Sequence, residues 1–313
     1  MRVWNDIERV PSGDGPLVAS IGNYDGVHVG HQRILERTVA AARARHVPSL
    51  LISFEPHPLA VVAPERRPQL LQTREQKLDA LEQTGLEHVL MLKFTPEIAT
   101  LSGEEFFADV LDQHLTFAAM HVGHNFRFGR HRSAGIEALE RIGAARGFEV
   151  SGTPQVQVDG GVVSSTRIRA AVKEGDVSAA SRMLGRPFAL TGEVVRGAGR
   201  GAKLLLPTAN LEVENEICPA PGVYVTESAV LAARQAAMTN VGFRPTFNGT
   251  LLTVETHIIE FEGDLYGERM EVRFLDRIRD EMRFENPSDL ADQLARDRAA
   301  AESYFQNLQI QPL

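Results

Sequence analysis

IGNYDGVHVGHQ, residues 21–32, joins an apolar run at 17–21 (LVASI) to an amphipathic run at 31–45. The apolar run is typical of a buried strand, and the amphipathic run repeats with the period of a helix. Its helical face carries Ile34, Leu35, Thr38, Val39 and Ala42. A turn from a strand into a helix presents unpaired backbone N–H groups and the positive end of the helix dipole. The stretch therefore predicts an anion-binding turn in an α/β domain.

Three glycines and two histidines in this turn favour phosphate chemistry. Gly22, Gly26 and Gly30 let the backbone turn tightly and approach a ligand. His28 and His31 are three residues apart at the helix start, so both rings can face one phosphate and stabilise charge that grows on phosphorus. A zinc pair fits less well, because the metalloprotease pattern needs i,i+4 spacing and a glutamate. Incidental surface histidines remain the alternative.

The rest of the first half has the same alternation of strands and helices. Short apolar runs separated by amphipathic helices are typical of a parallel sheet that is covered on both faces. We therefore predict a Rossmann-like α/β domain. The further predicted strands are 49–54, 88–92 and 118–123, and the further predicted helices are 74–84 and 103–115.

From about residue 189 short strands follow one another with Gly-, Pro- or Asn-containing turns between them. This spacing predicts an antiparallel barrel or sandwich, closed by a C-terminal helix whose N-cap is Ser288. The predicted helix has an apolar face of Leu290, Leu294, Ala301, Phe305 and Leu308. The predicted strands are 189–195, 222–230, 236–242, 251–261 and 270–278. A hinge at 184–190 gives the expected domains 1–186 and 187–313.

Composition narrows the class of protein. The chain has 313 residues, 33 Lys and Arg against 41 Asp and Glu, and a net charge of −8. An acidic chain is not typical of a general nucleic-acid binder. No apolar run reaches the roughly 18 residues that cross a bilayer, and the first residues lack a signal-peptide pattern. With Cys218 as the only cysteine, we expect a cytosolic protein without disulfides and without a membrane partner.

Two further loops follow predicted strands, and a later segment adds a second phosphate signal. SFEPHP (53–58) and GHNFRFGRHRSAG (123–135) should meet the first turn at the carboxyl edge of the sheet. SSTRIR (164–169) adds hydroxyls and an arginine before a helical stretch, which is either an N-cap or a clamp on phosphate. Two phosphate-binding segments indicate a nucleoside triphosphate. A zinc site of His121, His124 and His131 is the weaker alternative, because such sites usually have more ligands.

The blocks GNYDGVHVGH, SFEPHP, NFRFG, SSTRIR and GDVSAASRMLGRPF occur in this order. In that order they resemble the bifunctional bacterial riboflavin kinase/FMN adenylyltransferase (FAD synthetase) family, along almost the whole chain. His-x-Gly-His alone would indicate only the wider nucleotidyltransferase superfamily. The resemblance implies that the first domain transfers AMP from ATP to FMN, with Mg²⁺, and releases pyrophosphate. The block NFRFG departs from many relatives, which have an aspartate at the position of Asn125.

The resemblance also implies site residues in the first domain. For ATP they are Gly22, Asn23, Asp25, Gly26, His28, Gly30, His31, Ser164, Ser165, Thr166 and Arg167. Of these, His28 and His31 are the implied catalytic residues. For the flavin they are Phe54, Pro56, Pro58, Asn125 and Phe128, of which the aromatic and proline residues could instead be core residues under a loop.

GAGRGAKLLLPTANL, residues 197–211, departs from the phosphate-binding Walker A pattern, because Ala202 occupies a glycine position and Pro207 prevents a helix. It resembles the kinase block of the same family. The resemblance implies that Thr208 and Asn210 bind Mg²⁺ and ATP. The residues implied to cover the ATP phosphates are Gly199, Arg200, Gly201 and Lys203. Relatives typically have Gly-Phe where this chain has Leu205-Leu206.

VETH (254–257) resembles the block that holds the general base of the kinase, which would be Glu255. Alternation along a strand places Thr253 and His257 on the same face as Glu255. If that face were the barrel interior, such a polar patch would be costly unless it served a ligand. The expected function is thus phosphorylation of riboflavin to FMN followed by adenylylation of FMN to FAD, with ATP as co-substrate in both. The alternatives are an adenylyltransferase whose barrel only binds flavin and a noncatalytic flavin or nucleotide sensor.

Overall fold

The computed structural model describes residues 1–10, 15–196, 207–231, 233–246 and 249–310. The chain divides into two compact units, Met1–Ser164 and Ser165–Leu313.

The first unit is an α/β layer structure. Its elements are β1 (Arg2–Trp4), β2 (Leu17–Ile21), α1 (Val29–Arg45), β3 (Ser49–Glu55), α2 (Pro58–Val62), α3 (Arg74–Glu82), β4 (His88–Lys93), α4 (Pro96–Thr100), α5 (Gly103–Glu105), β5 (Phe117–Gly123), α6 (Ile136–Arg146), β6 (Glu149–Thr153), β7 (Gln157–Val158) and β8 (Gly161–Val162). A π-helical segment, Phe106–Leu111, continues α5.

Six strands form one sheet in the order β1-β4-β3-β2-β5-β6, and all neighbouring pairs are parallel. The central strand β2 is buried along its whole length. Apolar side chains cover both faces: Leu35 and Leu81 pack on one, and Phe107 and Leu139 pack on the other. Since β3, β2 and β5 are adjacent and parallel, the segments that follow them meet at one edge of the sheet.

The predicted α/β class and its four strands are confirmed. The edge strands β1 and β6 and the short helices α2 and α4 were not predicted, because short elements give too few residues for a clear period. The longer helix α6 was not predicted either. The predicted helix at 103–115 forms only as α5 and the π-helical segment, and the chain leaves it in a turn after Leu111.

The second unit is a barrel with flanking helices. Its elements are α7 (Ser165–Glu174), α8 (Val177–Leu184), β9 (Phe188–Val195), β10 (Ala209–Val213), β11 (Gly222–Val230), β12 (Ala233–Thr246), β13 (Gly249–Ile258), β14 (Arg269–Asp280) and α9 (Pro287–Ile310). The barrel is closed in the strand order β10-β13-β12-β11-β14-β9, and its neighbouring pairs are antiparallel. The structure thus decides for the barrel over the sandwich.

Alternation separates the two faces of the barrel wall. Thr226, Thr239 and Thr256 are fully buried and hydrogen-bond in a chain of 2.8 and 2.9 Å. They share the inner face with Tyr224, because Tyr224 and Thr239 are directly paired. On the outer face, Met238 of β12 packs against Ala301 of α9.

The terminal helix is confirmed, but its predicted cap is wrong. α9 begins at Pro287, and the side chain Oδ1 of Asn286 accepts a hydrogen bond from Asp289 N at 2.9 Å. Ser288 lies within the first turn, because proline is favoured at the first helical position and the cap must precede it. Leu294, Ala301 and Phe305 pack on the barrel as predicted.

Candidate active sites

The turn after β2 is held in a strained conformation. Tyr24 and Val27 have φ of 50° and 40°, a region that non-glycine residues rarely adopt, and Gly26 has φ of 87°. Two hydrogen bonds and one buried side chain fix the turn. Asp25 Oδ1 accepts from Leu71 N at 3.0 Å, Gln32 Nε2 donates to Val27 O at 2.8 Å, and the ring of Tyr24 is buried. Strain of this kind persists where the surroundings determine the backbone, and it occurs often in functional loops.

The two motif histidines stack on one another above the start of α1. Their ring centroids are 3.6 Å apart with planes inclined by 15°, and the ring of Tyr24 lies 4.6 Å from His31 on the other side. His28 caps α1, since its Nδ1 accepts from His31 N at 3.3 Å. A neutral His28 ring therefore carries its proton on Nε2. At Gly30 a Cβ atom would lie 3.2 Å from the His28 ring, so glycine lets the ring lie close to the backbone.

Burial and positive neighbours keep His31 neutral. Burial, followed by the charges of His28 and Lys77, holds the pKa of His31 well below its usual value. Nδ1 of His31 is buried without a hydrogen-bond partner among the described residues. A neutral His31 ring at a helix N-terminus can accept the negative charge of a phosphate without an existing counterion to displace.

The segment after β3 joins this turn. The side-chain Nδ2 of Asn23 lies 3.1 Å from Nε2 of His57, and Ser53 Oγ donates to the backbone carbonyl of Asn23 at 3.2 Å. Lys77 Nζ on α3 donates to both the Asn23 carbonyl and Ser53 Oγ, at 2.7 Å each. Sequence reasoning missed Ser53, His57 and Lys77 as site residues. The first two lie in the quoted block SFEPHP, whereas no local pattern distinguishes Lys77.

The predicted flavin residues lie at the same edge of the sheet. Phe54 contacts Phe94 edge to face at 5.5 Å and packs against the core, and Phe128 stacks on Phe126 at 5.2 Å. Asn125 is exposed in the turn after β5. Pro56 follows a cis peptide bond, and Pro58 is the first residue of α2. Phe54 and Phe128 are therefore partly core residues, and their contact with flavin stays a prediction.

The SSTRIR segment spans the boundary between the two compact units. Ser164 is the last residue of the first, and Ser165, Thr166 and Arg167 form the first turn of α7. Their predicted contact with ATP phosphates stays a prediction.

The barrel brings three polar side chains into register. Asn210 of β10 is directly opposite Glu255 of β13, and Glu255 is directly opposite Asn240 of β12. Directly paired residues share one face of a sheet, with Cβ atoms about 5 Å apart. Thr208 immediately precedes β10. Asn240 was not among the predicted site residues; only the pairing of β12 with β13 reveals it.

This polar row lies on the outer face of the barrel. Thr256 and Val254, the neighbours of Glu255, are buried at 0% and 2% exposure, and Thr256 belongs to the inner chain of hydroxyls. His257 is on the same face as Glu255, as predicted, but that face is not the interior. The interior is filled by apolar and hydroxyl side chains, so a carboxylate there would have to be desolvated.

His257 links the row to the segment that precedes β10. Its Nδ1 lies 2.9 Å from the carbonyl oxygen of Pro207, and a ring nitrogen that meets a carbonyl must donate. Nε2 of the same ring is buried without a partner among the described residues. The ring thus anchors the residue before Thr208. The predicted phosphate-covering residues Gly199, Arg200, Gly201 and Lys203, with Leu205-Leu206, lie outside the described residues.

The described part of the chain shows neither a cluster of metal-binding side chains nor a membrane-spanning helix. It holds no group of three or more His, Cys, Asp and Glu side chains placed to bind a metal ion. In the same part, no helix is both long and apolar enough to cross a membrane.

The chain thus combines a parallel sheet that has a histidine-lined turn with a barrel that has a carboxylate between two amides. Residues 11–167 match the family model described as FAD synthetase, and residues 184–305 match the one described as riboflavin kinase. The bifunctional riboflavin kinase/FMN adenylyltransferase of Escherichia coli K12 is 36% identical over 290 residues, which cover 92% of each chain. The protein of the same name from Pseudomonas fluorescens is 37% identical over 287 residues, 91% of this chain and 92% of that one.

The chain belongs to the bifunctional riboflavin kinase/FMN adenylyltransferase family. The fold is also that of a solved structure, described as a macrolide-efflux protein from Streptococcus pneumoniae. That structure is 30% identical, covers 96% of this chain and 98% of its own, and has a TM-score of 0.87.

Proposed function

We propose that the barrel transfers the γ-phosphoryl group of ATP to riboflavin, giving FMN and ADP. We propose further that the first unit transfers AMP from a second ATP to FMN, giving FAD and pyrophosphate. The observation that carries the proposal is the direct pairing of Glu255 with Asn210 on a chain that also holds the His28–His31 stack. One site has the groups for deprotonating a hydroxyl, and the other has the groups for binding phosphates.

In the first unit the reaction needs positioning and charge neutralisation. The phosphate of FMN is already a nucleophile, so no covalent enzyme intermediate is required; its oxygen attacks the α-phosphorus and pyrophosphate leaves. The backbone of the turn, with His28, His31 and Asn23, faces the charge that develops on the phosphates. Ser164, Ser165, Thr166 and Arg167 are proposed to cover the β- and γ-phosphates, on the evidence of the SSTRIR motif. Phe54, Pro56, Pro58, Asn125 and Phe128 are proposed to flank the isoalloxazine ring.

In the barrel Glu255 is proposed as the general base. It would take the proton of the terminal ribityl hydroxyl as that oxygen attacks the γ-phosphorus. Thr208 and Asn210 supply a hydroxyl and an amide oxygen beside a carboxylate, a set of hard oxygen donors that fits Mg²⁺. When bound, Mg²⁺ neutralises charge on the ATP phosphates.

We place the functional boundary between the activities near residue 186. Support comes from the two family models, which leave residues 168–183 between them. The contact-based division at Ser164/Ser165 puts α7 and α8 with the barrel. On the proposed boundary these helices would serve the adenylyltransferase although they pack with the kinase unit.

A flavin time course tests the function. Full-length protein is incubated with riboflavin, ATP and Mg²⁺, and the flavins are separated by chromatography. FMN that appears first and is then converted to FAD is the expected result. Conversion of added FMN with riboflavin left unchanged would favour the single-activity adenylyltransferase. Binding of flavin and ATP without turnover in either step would favour the noncatalytic sensor.

A further inference from the structure

Lys77 is a partly buried lysine at the base of the first site. It lies on α3, and its Nζ donates at 2.7 Å to the carbonyl oxygen of Asn23 and at 2.7 Å to Ser53 Oγ. Ser53 Oγ itself donates to the same carbonyl at 3.2 Å. One ammonium group thus connects α3, the end of β3 and the first residue of the strained turn.

The Asn23 carbonyl is the point at which the backbone leaves β2 and enters the turn. The next four residues include the positive-φ residues Tyr24, Gly26 and Val27. Such a turn costs free energy at each strained non-glycine residue, so it needs contacts that determine it. Lys77 and Ser53 fix its start, and Asp25, which accepts from Leu71 N, fixes its middle.

The charge of Lys77 is set by its surroundings. Burial lowers its pKa to about 8, against the opposing effect of Asp25 and Glu55. Arg74, on the same helix, lowers the pKa further. The charge of Lys77 in turn lowers the pKa of His31 on α1. Near neutral pH a positive charge therefore lies beneath a turn that is proposed to bind phosphates.

We propose that Lys77 is a positioning residue for FMN adenylylation: through the Asn23 carbonyl it holds the turn in the conformation that receives the ATP phosphates. The inference rests on the proposed activity of the first unit. Lys77 acts through Asn23 and Ser53. The two hydrogen bonds that Lys77 donates to Asn23 and Ser53 are called the lysine clamp here. The clamp is strongest when the amine is protonated, because an ammonium is the stronger donor.

The experiment compares Lys77→Met, Ser53→Ala and a matched control, Lys93→Met, an exposed lysine at the end of β4. FAD formation from FMN is measured at saturating FMN with ATP varied, from about pH 6.5 to about pH 9.5, where kcat/KM reports the free enzyme. Trp4, the only tryptophan of the sequence, packs against the core of the first unit, so its emission reports the folding of that unit. Riboflavin phosphorylation is measured in parallel.

We expect the wild-type kcat/KM for ATP to fall as the pH rises through about 8, where Lys77 loses its proton. Lys77→Met should lower kcat/KM about 100-fold at neutral pH, the cost of a misplaced reacting group, and should abolish that alkaline fall. Ser53→Ala should move the fall to lower pH, because the ammonium loses an acceptor. Lys93→Met and the riboflavin kinase activity should not change.

The inference would be overturned by a folded Lys77→Met variant whose kcat/KM for ATP lies within about threefold of the wild-type value. It would also be overturned if kcat/KM of that variant still fell as the pH rises through about 8. If that variant does not fold, Ser53→Ala decides: an unchanged pH profile refutes the clamp. Absence of FAD formation by the wild-type chain would refute the proposed activity itself. That result is distinct from the outcomes for the two variants.

Discussion

Asn210 lies directly opposite Glu255 in the ladder between β10 and β13. A magnesium ligand and a general base are thus proposed on neighbouring strands, at the short separation that direct pairing imposes. Asn210 belongs to the PTAN block and Glu255 to the VETH block, 45 residues later in the sequence. Closure of the barrel gives the two residues a shared site.

Replacing Glu255 by glutamine should abolish the kinase and spare the adenylyltransferase. The amide keeps the shape but cannot take the ribityl proton, so we expect riboflavin phosphorylation to fall at least about 100-fold. FAD formation from added FMN should continue at the wild-type rate. The matched control is Glu212→Gln, the same change at an exposed position of β10. Equal loss of both activities in a folded Glu255→Gln protein would refute separate sites.

His257→Ala should weaken the use of Mg²⁺ by the kinase. The ring contacts the Pro207 carbonyl at 2.9 Å and so fixes the residue before Thr208. Loss of a residue that orients a metal ligand typically costs about 10- to 100-fold in affinity or activity. We expect a higher Mg²⁺ concentration for half-maximal phosphorylation, measured by titration at fixed ATP. An unchanged Mg²⁺ titration would show that Thr208 is held by other contacts.

Binding of ATP to the first unit should take up protons. Burial and positive neighbours hold the pKa of His31 well below its usual value, and the negative phosphates should raise it. At a pH just above the pKa that His31 has in the ATP-free protein, the ring is neutral before ATP binds and partly protonated afterwards. Calorimetry of ATP binding in two buffers of different ionisation enthalpy measures the uptake. The His28→Ala/His31→Ala protein should lose both this uptake and FAD formation, by at least about 100-fold.

The stability of the first unit should rise between pH 7.5 and 9.5 because of Lys77. Its folded pKa of about 8 is below the usual 10.5, so the unfolded chain binds more protons in this window. The free energy of unfolding therefore increases with pH, by about 2 kcal/mol for this residue. Urea unfolding followed by Trp4 fluorescence should show the increase, and Lys77→Met should lack it. Equal pH dependence in both proteins would contradict the assignment.

Asp297→Ala should release α9 from the barrel. Asp297 is 1% exposed and accepts from Arg279 of β14 through both carboxylate oxygens, at 2.7–3.1 Å. Removing one partner of a buried ion pair leaves the other charge uncompensated, at a cost of about 3–5 kcal/mol. Urea unfolding followed by circular dichroism should show this loss in the transition of the second unit. Asp292→Ala, an exposed position on the same helix, is the control and should change little.

The sequence was sufficient to predict secondary structure wherever a long hydrophobic period or an uninterrupted apolar run was present. The strands 17–21 and 222–230 were predicted with the bounds that the structure gives, because their apolar residues are continuous and turn residues flank them. The predicted cap at Ser288 was wrong by two residues, since Asn286 and Ser288 are both good caps and only the backbone distinguishes them. The face of Glu255 could not be assigned either, because alternation separates two faces without naming the inner one.

By itself the sequence determined the α/β class of the first half, its four predicted strands and the two-part organisation, and it predicts phosphate chemistry at residues 21–32. These inferences depend on local periods and on residue types at fixed spacing. Tertiary structure alone decided which distant residues share a site. Lys77 reaches Asn23 across 54 positions, and Asn240 faces Glu255 through strand pairing. Such contacts arise from packing between elements, and packing leaves no period in the chain from which they could be predicted.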